Sequence, residues 1–214
     1  HAMGQAFHLI RSGACTAVVT GGADSMLTFG GIKAWEGLRV LSPDGCRPFS
    51  ATRNGMVLGE GAAVFVFEDY DHARARGADI LAEVAGFAMT SDAADIVTPS
   101  KSGAARSMRL ALKDAALNPE DVGYINAHGT GTMANDKTES AAILDVFGQH
   151  AERLMVSSTK SMHGHLIGAT GAVELLAAIM ALRDGVIAPT IGYQIPDPDC
   201  PLDVVPNTAR SATV

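Results

Sequence analysis

Two short segments carry side chains able to do chemistry. The first is Asn126-Ala-His128-Gly-Thr130-Gly-Thr132; the second is Ser157-Ser-Thr-Lys160-Ser-Met-His163-Gly-His165. Each follows a short apolar run and precedes a helix-like stretch. In α/β sheets ligands gather at such carboxyl ends of strands. Asn126 and His128 are two apart, so they project to one side if the strand persists. Gly129 and Gly131 let a ligand approach the backbone closely. Thr130 and Thr132 offer hydroxyls that donate or accept. In the second segment a lysine and two histidines converge before the N-terminus of an apolar helix. Cations are unfavourable there on stability grounds. Their chemical use is to hold a developing anion, as an oxyanion hole does.

Each has a plainer reading. A strand-to-helix turn with a satisfied core histidine would explain His128, and a solvated surface charge would explain Lys160. His-Gly-His is too short to specify a zinc site, and no His-Glu-x-x-His or cysteine cluster supports one. The segment Gly-Thr-Gly-Thr-Met-Ala lacks the third glycine of a dinucleotide fingerprint, and no P-loop or Gly-x-Ser-x-Gly elbow occurs. Glu174 is a lone acid in an apolar helix. It either reaches solvent or contacts an ion or backbone.

The elements that position these segments follow from periodicity. Residues 2–12 predict a short helix stopped at Gly13. Residues 15–20 predict a buried parallel strand ended by Gly21-Gly22, and residues 30–60 a long ordered loop. Strands follow at 62–68, 80–89, 122–127, 154–157 and 202–205. Helical segments are expected at 71–76, 103–117, 136–147 and 168–183, the last buried on all sides. The class is α/β, with mostly parallel strands and helices on their faces.

Composition narrows the function. The 214 residues carry 16 Lys and Arg against 23 Asp and Glu, a net charge of −7, which argues against nucleic-acid binding. No apolar run is long enough for a membrane span. The first residues are amphipathic and not a signal peptide. Three scattered cysteines, Cys15, Cys46 and Cys200, suit a reducing cytoplasm and neither a disulfide scaffold nor a zinc site.

The chain resembles the elongating β-ketoacyl-acyl-carrier-protein synthases. NAHGTGTMANDKTE and VSSTKSMHGHLIGATGAVE carry the likeness, with RPFSATRNGMVLGEGAAVFVFED and IGYQIPDPDCPLDVVPNTAR. The resemblance implies a thiolase-like layered fold, αβαβα in a complete protein. It divides this chain into the end of an N-terminal half (1–78) and most of a C-terminal half (79–214). It implies decarboxylation of malonyl-carrier protein and attack of the resulting carbanion on an acyl thioester. It implies catalytic roles for His128, His165 and Lys160. Glu139 is matched to an acid near that lysine, with Asp136 also supporting, and Thr130 and Thr132 are matched to pantetheine-binding threonines. Asn126 and Glu174 are matched to a structural monovalent-cation site. The expected partner is an acyl carrier protein, in a homodimer, with no redox cofactor and no catalytic metal.

The family's nucleophilic cysteine motif would precede His1, and its Gly-rich closing segment would follow Val214. The chain is therefore expected to be a C-terminal piece, unable alone to take up an acyl group. None of its three cysteines matches that motif. His163 stands where the family commonly has threonine. Thiolases lack both segments. A chain-length partner subunit, the non-catalytic alternative, often loses a His or the Lys kept here.

Overall fold

The computed structural model describes residues 1–95 and 97–212. In chain order the elements are α1 (Ala2–Arg11), β1 (Ala17–Asp24), α2 (Phe29–Gly37), β2 (Gly61–Glu68), α3 (Tyr70–Ala75), α4 (Lys101–Ala115), β3 (Tyr124–Asn126), α5 (Met133–Phe147), β4 (Met155–Ser157), α6 (Lys160–His163), α7 (Thr170–Asp184), β5 (Val186–Ile187) and β6 (Arg210–Ser211). The α/β class holds, but the pairing departs from expectation. Among the described residues β1–β2 and β5–β6 are antiparallel and only β3–β4 is parallel.

β1 neither stops at Gly21-Gly22 nor is buried. It runs through both glycines to Asp24, and Val19, Val64 and Val66 stand exposed on the hairpin. The glycines serve close approach: a Cβ on Gly21 would lie 2.1 Å from the Ala63 carbonyl oxygen, and one on Gly22 2.8 Å from that of Gly168. The first part of the expected 30–60 loop is helical. Thr28 caps α2 by accepting the Gly31 N–H at 3.1 Å, which offsets the poor helix propensity of Gly30 and Gly31.

Residues 80–89 carry no strand ladder among the described residues; Gly86 instead packs against the last turn of α4. Of 202–205 only Asp203 bridges, its carbonyl accepting the Val156 N–H at 2.8 Å. In α7 Ala172, Ile179 and Ala181 are buried while Leu176 and Leu182 are exposed, so this helix is not buried on all sides. No described helix is long and apolar enough to cross a membrane.

The parallel pair is what positions the site. Ile125 lies opposite Val156 and Asn126 opposite Ser157, so both strands end at one level. Phe49, Ala127, Ile143, Phe147, Leu154 and Val156 form the core around them. Burying such side chains stabilises by about 2 kcal/mol each. The Ala127 N–H donates to the Ser157 carbonyl at 2.9 Å, and from there the two chemistry-bearing segments diverge.

Candidate active site

The His128 segment is clamped by two acids of α5. Glu139 accepts the backbone N–H groups of His128 and Gly129, one on each oxygen, both at 2.7 Å. Asp136 is fully buried and accepts the N–H groups of Phe49 at 2.8 Å and Gly131 at 3.2 Å. These bonds need a tight backbone. Gly129 and Gly131 have φ of 38° and 80°, and a Cβ on Gly129 would meet that of Ser158 at 2.5 Å. The Thr130 and Thr132 hydroxyls lie 2.9 Å apart. Thr130 accepts the Thr132 N–H, and Thr132 accepts the Asn135 N–H as the cap of α5. If Thr130 donates to Thr132, the Thr132 O–H is left free to point at a ligand.

The second segment places Lys160 at the start of α6, fully buried, with its Nζ on Glu174 Oε1. His165 follows two residues after α6. The His128 and His165 rings meet edge to face, with centroids 5.3 Å apart and planes at 88°. Sequence reasoning thus named residues that the fold does bring together: His128, Lys160, Glu174 and His165 converge at the carboxyl ends of β3 and β4.

Hydrogen bonding fixes the state of His165. Its Nδ1 receives the Ile167 backbone N–H at 3.0 Å and lies 3.1 Å from the Thr170 hydroxyl. An N–H can only donate, so Nδ1 is bare and the neutral ring carries its proton on Nε2. Burial, then Lys160 and His163, push the His165 pKa down to about 4. Burial, Lys160 and His165 act on His128 in the same direction. Although His128 exposes part of its surface, it stays below the ordinary histidine range, and the ring is neutral at pH 7. Among the described residues no protein group hydrogen-bonds the His128 ring. Burial raises Glu174 to about 7 despite Lys160 beside it.

Glu139 lies within reach of the Lys160 charge, as expected, but its oxygens go to the His128 and Gly129 amides. The acid bonded to Lys160 is Glu174, because α7 packs against the end of β3. The pair matched to a cation site lies together, each side chain with protein partners. The Glu174 carboxylate sits on Lys160, and the Asn126 Nδ2 donates to Thr159 Oγ1 at 3.3 Å and to the Glu174 carbonyl at 3.4 Å. Among the described residues no cluster of three acids, histidines or cysteines is placed to hold a metal.

Sequence reasoning missed Arg53 and Thr170. Arg53 is buried, lies 3.7 Å from Asp136 and pairs with Asp197. It also donates to the carbonyls of Ser50, Thr132 and Met133. Its partners lie up to 144 residues away, so no local pattern marks it. Cys46 Sγ donates to the Thr130 carbonyl at 3.8 Å, with its thiol pushed up by burial; Cys200 is buried in the core.

Comparison with known proteins identifies the family. Residues 81–194 match the family profile described as beta-ketoacyl synthase, C-terminal domain, and residues 1–73 that of the N-terminal domain. Nodulation protein E of Rhizobium leguminosarum bv. trifolii is 57% identical over 210 residues, 98% of this chain and 52% of its own length. The 3-oxoacyl-[acyl-carrier-protein] synthase 2 of Staphylococcus aureus is 43% identical over 221 residues, covering 100% of this chain and 55% of its own. Among solved structures, AntDE:AntF is described as a type II PKS acyl-carrier protein in complex with its ketosynthase bound to the hexaketide. It superposes with a TM-score of 0.96 at 38% identity, over 99% of this chain and 54% of that one. The chain spans about half the length of the curated relatives it matches. With its thiolase-like fold and its two neutral imidazoles beside a buried lysine, the chain belongs to the β-ketoacyl synthase family.

Proposed function

We propose that these residues perform the decarboxylative half of a 3-oxoacyl-[acyl-carrier-protein] synthase reaction. A malonyl thioester loses carbon dioxide by breaking the bond between its α-carbon and carboxylate. The electron pair passes onto the α-carbon and its thioester carbonyl oxygen. The Nε2–H of His165 and an N–H of His128 hold that oxygen. The α-carbon then attacks an acyl thioester carbonyl, forming the new C–C bond as a thiolate leaves. The Thr132 O–H meets the pantetheine arm of the carrier. The acyl group rests on a thiol that none of Cys15, Cys46 or Cys200 supplies, so the 214 residues alone condense nothing.

The observation that carries this reading is the right-angled pair of neutral imidazoles, one with its free N–H fixed on Nε2. Neutral donors are what an enolate needs, because an imidazolium could surrender its proton to the carbanion. Lys160 and Glu174 set the local charge and take no proton from substrate. The reading places the protein in the cytoplasm as a homodimer with an acyl carrier protein as partner. It also divides the chain at residues 78 and 79.

The test is carbon dioxide release from malonyl-carrier protein by the protein as its host makes it. His128→Ala and His165→Ala should each slow release by about 100- to 1,000-fold, the usual cost of one oxyanion donor. Near-wild-type release by either variant would refute the roles. A nodulation-type acyl chain, as opposed to a general fatty acid, is favoured by the higher identity to nodulation protein E, 57% against 43%. Product chain length from mixed acyl donors decides between them.

A further inference from the structure

His163 belongs to no step above, yet its ring is bonded at both nitrogens. Its Nδ1 lies 2.7 Å from the Gly164 carbonyl oxygen, and its Nε2 3.0 Å from Thr159 Oγ1. A carbonyl can only accept, so Nδ1 carries the proton. Burial keeps the ring below its ordinary pKa and neutral at pH 7. Nε2 is therefore bare and must accept the Thr159 hydroxyl proton. That spends the hydroxyl's one donor, so its lone pairs face the Asn126 Nδ2–H, 3.3 Å away. Asn126 also donates to the Glu174 carbonyl. A single directional chain results: from Asn126 into Thr159, from Thr159 into His163, and from His163 into Gly164.

Each link fixes a different part of the site. Asn126 stands two residues before His128, and Thr159 directly precedes Lys160. Glu174 is the acid on that lysine. The Gly164 carbonyl belongs to the peptide whose N–H is that of His165, which donates to the Val57 carbonyl at 2.7 Å. Thr159 is buried, so solvent does not replace a lost partner there. We propose that His163 is a positioning residue, whose Nδ1–H and bare Nε2 close this chain and hold the His165 backbone and the Thr159–Lys160 segment in the working geometry.

The inference rests on the condensing reading for its kinetic arm only. In protein labelled with ¹⁵N-histidine, His163 should show a protonated Nδ1 and a bare Nε2, and His165 the reverse. His163→Ala should lower the rate constant for carbon dioxide release by up to about 100-fold, the cost of a misplacement near 1 Å, with KM for malonyl-carrier protein unchanged. Asn at this position puts an N–H where Nδ1–H stood, so His163→Asn should recover most of that rate. A His163 protonated on Nε2 overturns the proposal in the wild-type protein, before any variant has to fold. So does a His163→Ala protein with wild-type rate, or with a raised KM alone. A His163→Asn variant no better than alanine also overturns it. If wild-type protein releases no carbon dioxide, the functional reading fails, and the ring tautomers still decide the hydrogen-bond chain.

Discussion

Arg53→Met tests whether the buried charge network holds the Thr130–Thr132 loop. The Arg53 and Asp136 side chains are both 0% exposed, and that of Asp197 is 10% exposed. Methionine keeps the stem and removes the guanidinium. The direct losses are the bonds to the carbonyls of Ser50, Thr132 and Met133 and to the Asp197 carboxylate. At about 1 kcal/mol per bond these amount to about 4 kcal/mol. An independent route agrees: removing one partner of a buried ion pair costs about 3–5 kcal/mol. For a chain of this size each kcal/mol lowers Tm by about 2–4 °C, so the fall should be about 6–20 °C. Thermal unfolding followed by far-ultraviolet circular dichroism at pH 7.5 measures it. Arg53→Lys should lose less, because a point charge still faces the carboxylates but cannot fork between carbonyls. Burial already raises the Asp136 pKa, and losing the cation raises it further. The variant therefore takes up a proton in acid, and its deficit should be smaller at pH 5 than at pH 8. A Tm fall under about 3 °C would refute the network.

The remaining predictions concern titration. With His165 at about 4 and His128 held down as well, carbon dioxide release should stay level from pH 8 to about 5 and fail only on further acidification; an acid limb centred near 6.5 would show ordinary imidazoles. Lys160→Met removes the second cause of both depressions, so the limb should move up yet stay below 6.5, since burial is the larger cause; an unmoved limb would remove Lys160 from the electrostatic account. The folded Glu174 carboxyl titrates near 7 against 4.5 unfolded, so it binds more protons in the folded state between those values. Its contribution to stability is fully present below 4.5 and is lost as pH rises through about 7. Wild type should therefore lose stability relative to Glu174→Gln across that window, and a constant gap in denaturant titrations would show an ordinary carboxyl.

What could be read from sequence was what is local. The two segments were legible because glycine, threonine and histidine punctuate them between apolar runs. The helices of residues 103–117 and 136–147 were legible from their 3.6-residue period. Strand direction was not, since an apolar run such as Ala-Val-Val-Thr states neither its partner nor which face it leaves to solvent. Gly21-Gly22 looked like a stop because a glycine's demand for close approach is visible only once Ala63 and Gly168 are in place. α2 was hidden by Gly30 and Gly31, whose cost is offset by the Thr28 cap. The choice between Glu139 and Glu174 as partner of Lys160 was equally closed. Each is one acid on a helix, and only the path of α7 past the end of β3 decides. Arg53 needed contacts with two distant aspartates to become visible at all.

The same burial that raises Glu174 also protects the histidines. As pH falls from 8, the first group of the cluster to take a proton is Glu174, near 7, and neither imidazole. Once neutral, it no longer compensates the Lys160 side chain buried beside both rings. Lys160 already lowers both the His128 and His165 pKa values, and a carboxyl that has taken its proton does not offset that effect. The rings stay neutral donors first through their own burial, and the lysine beside them adds to that in the same direction.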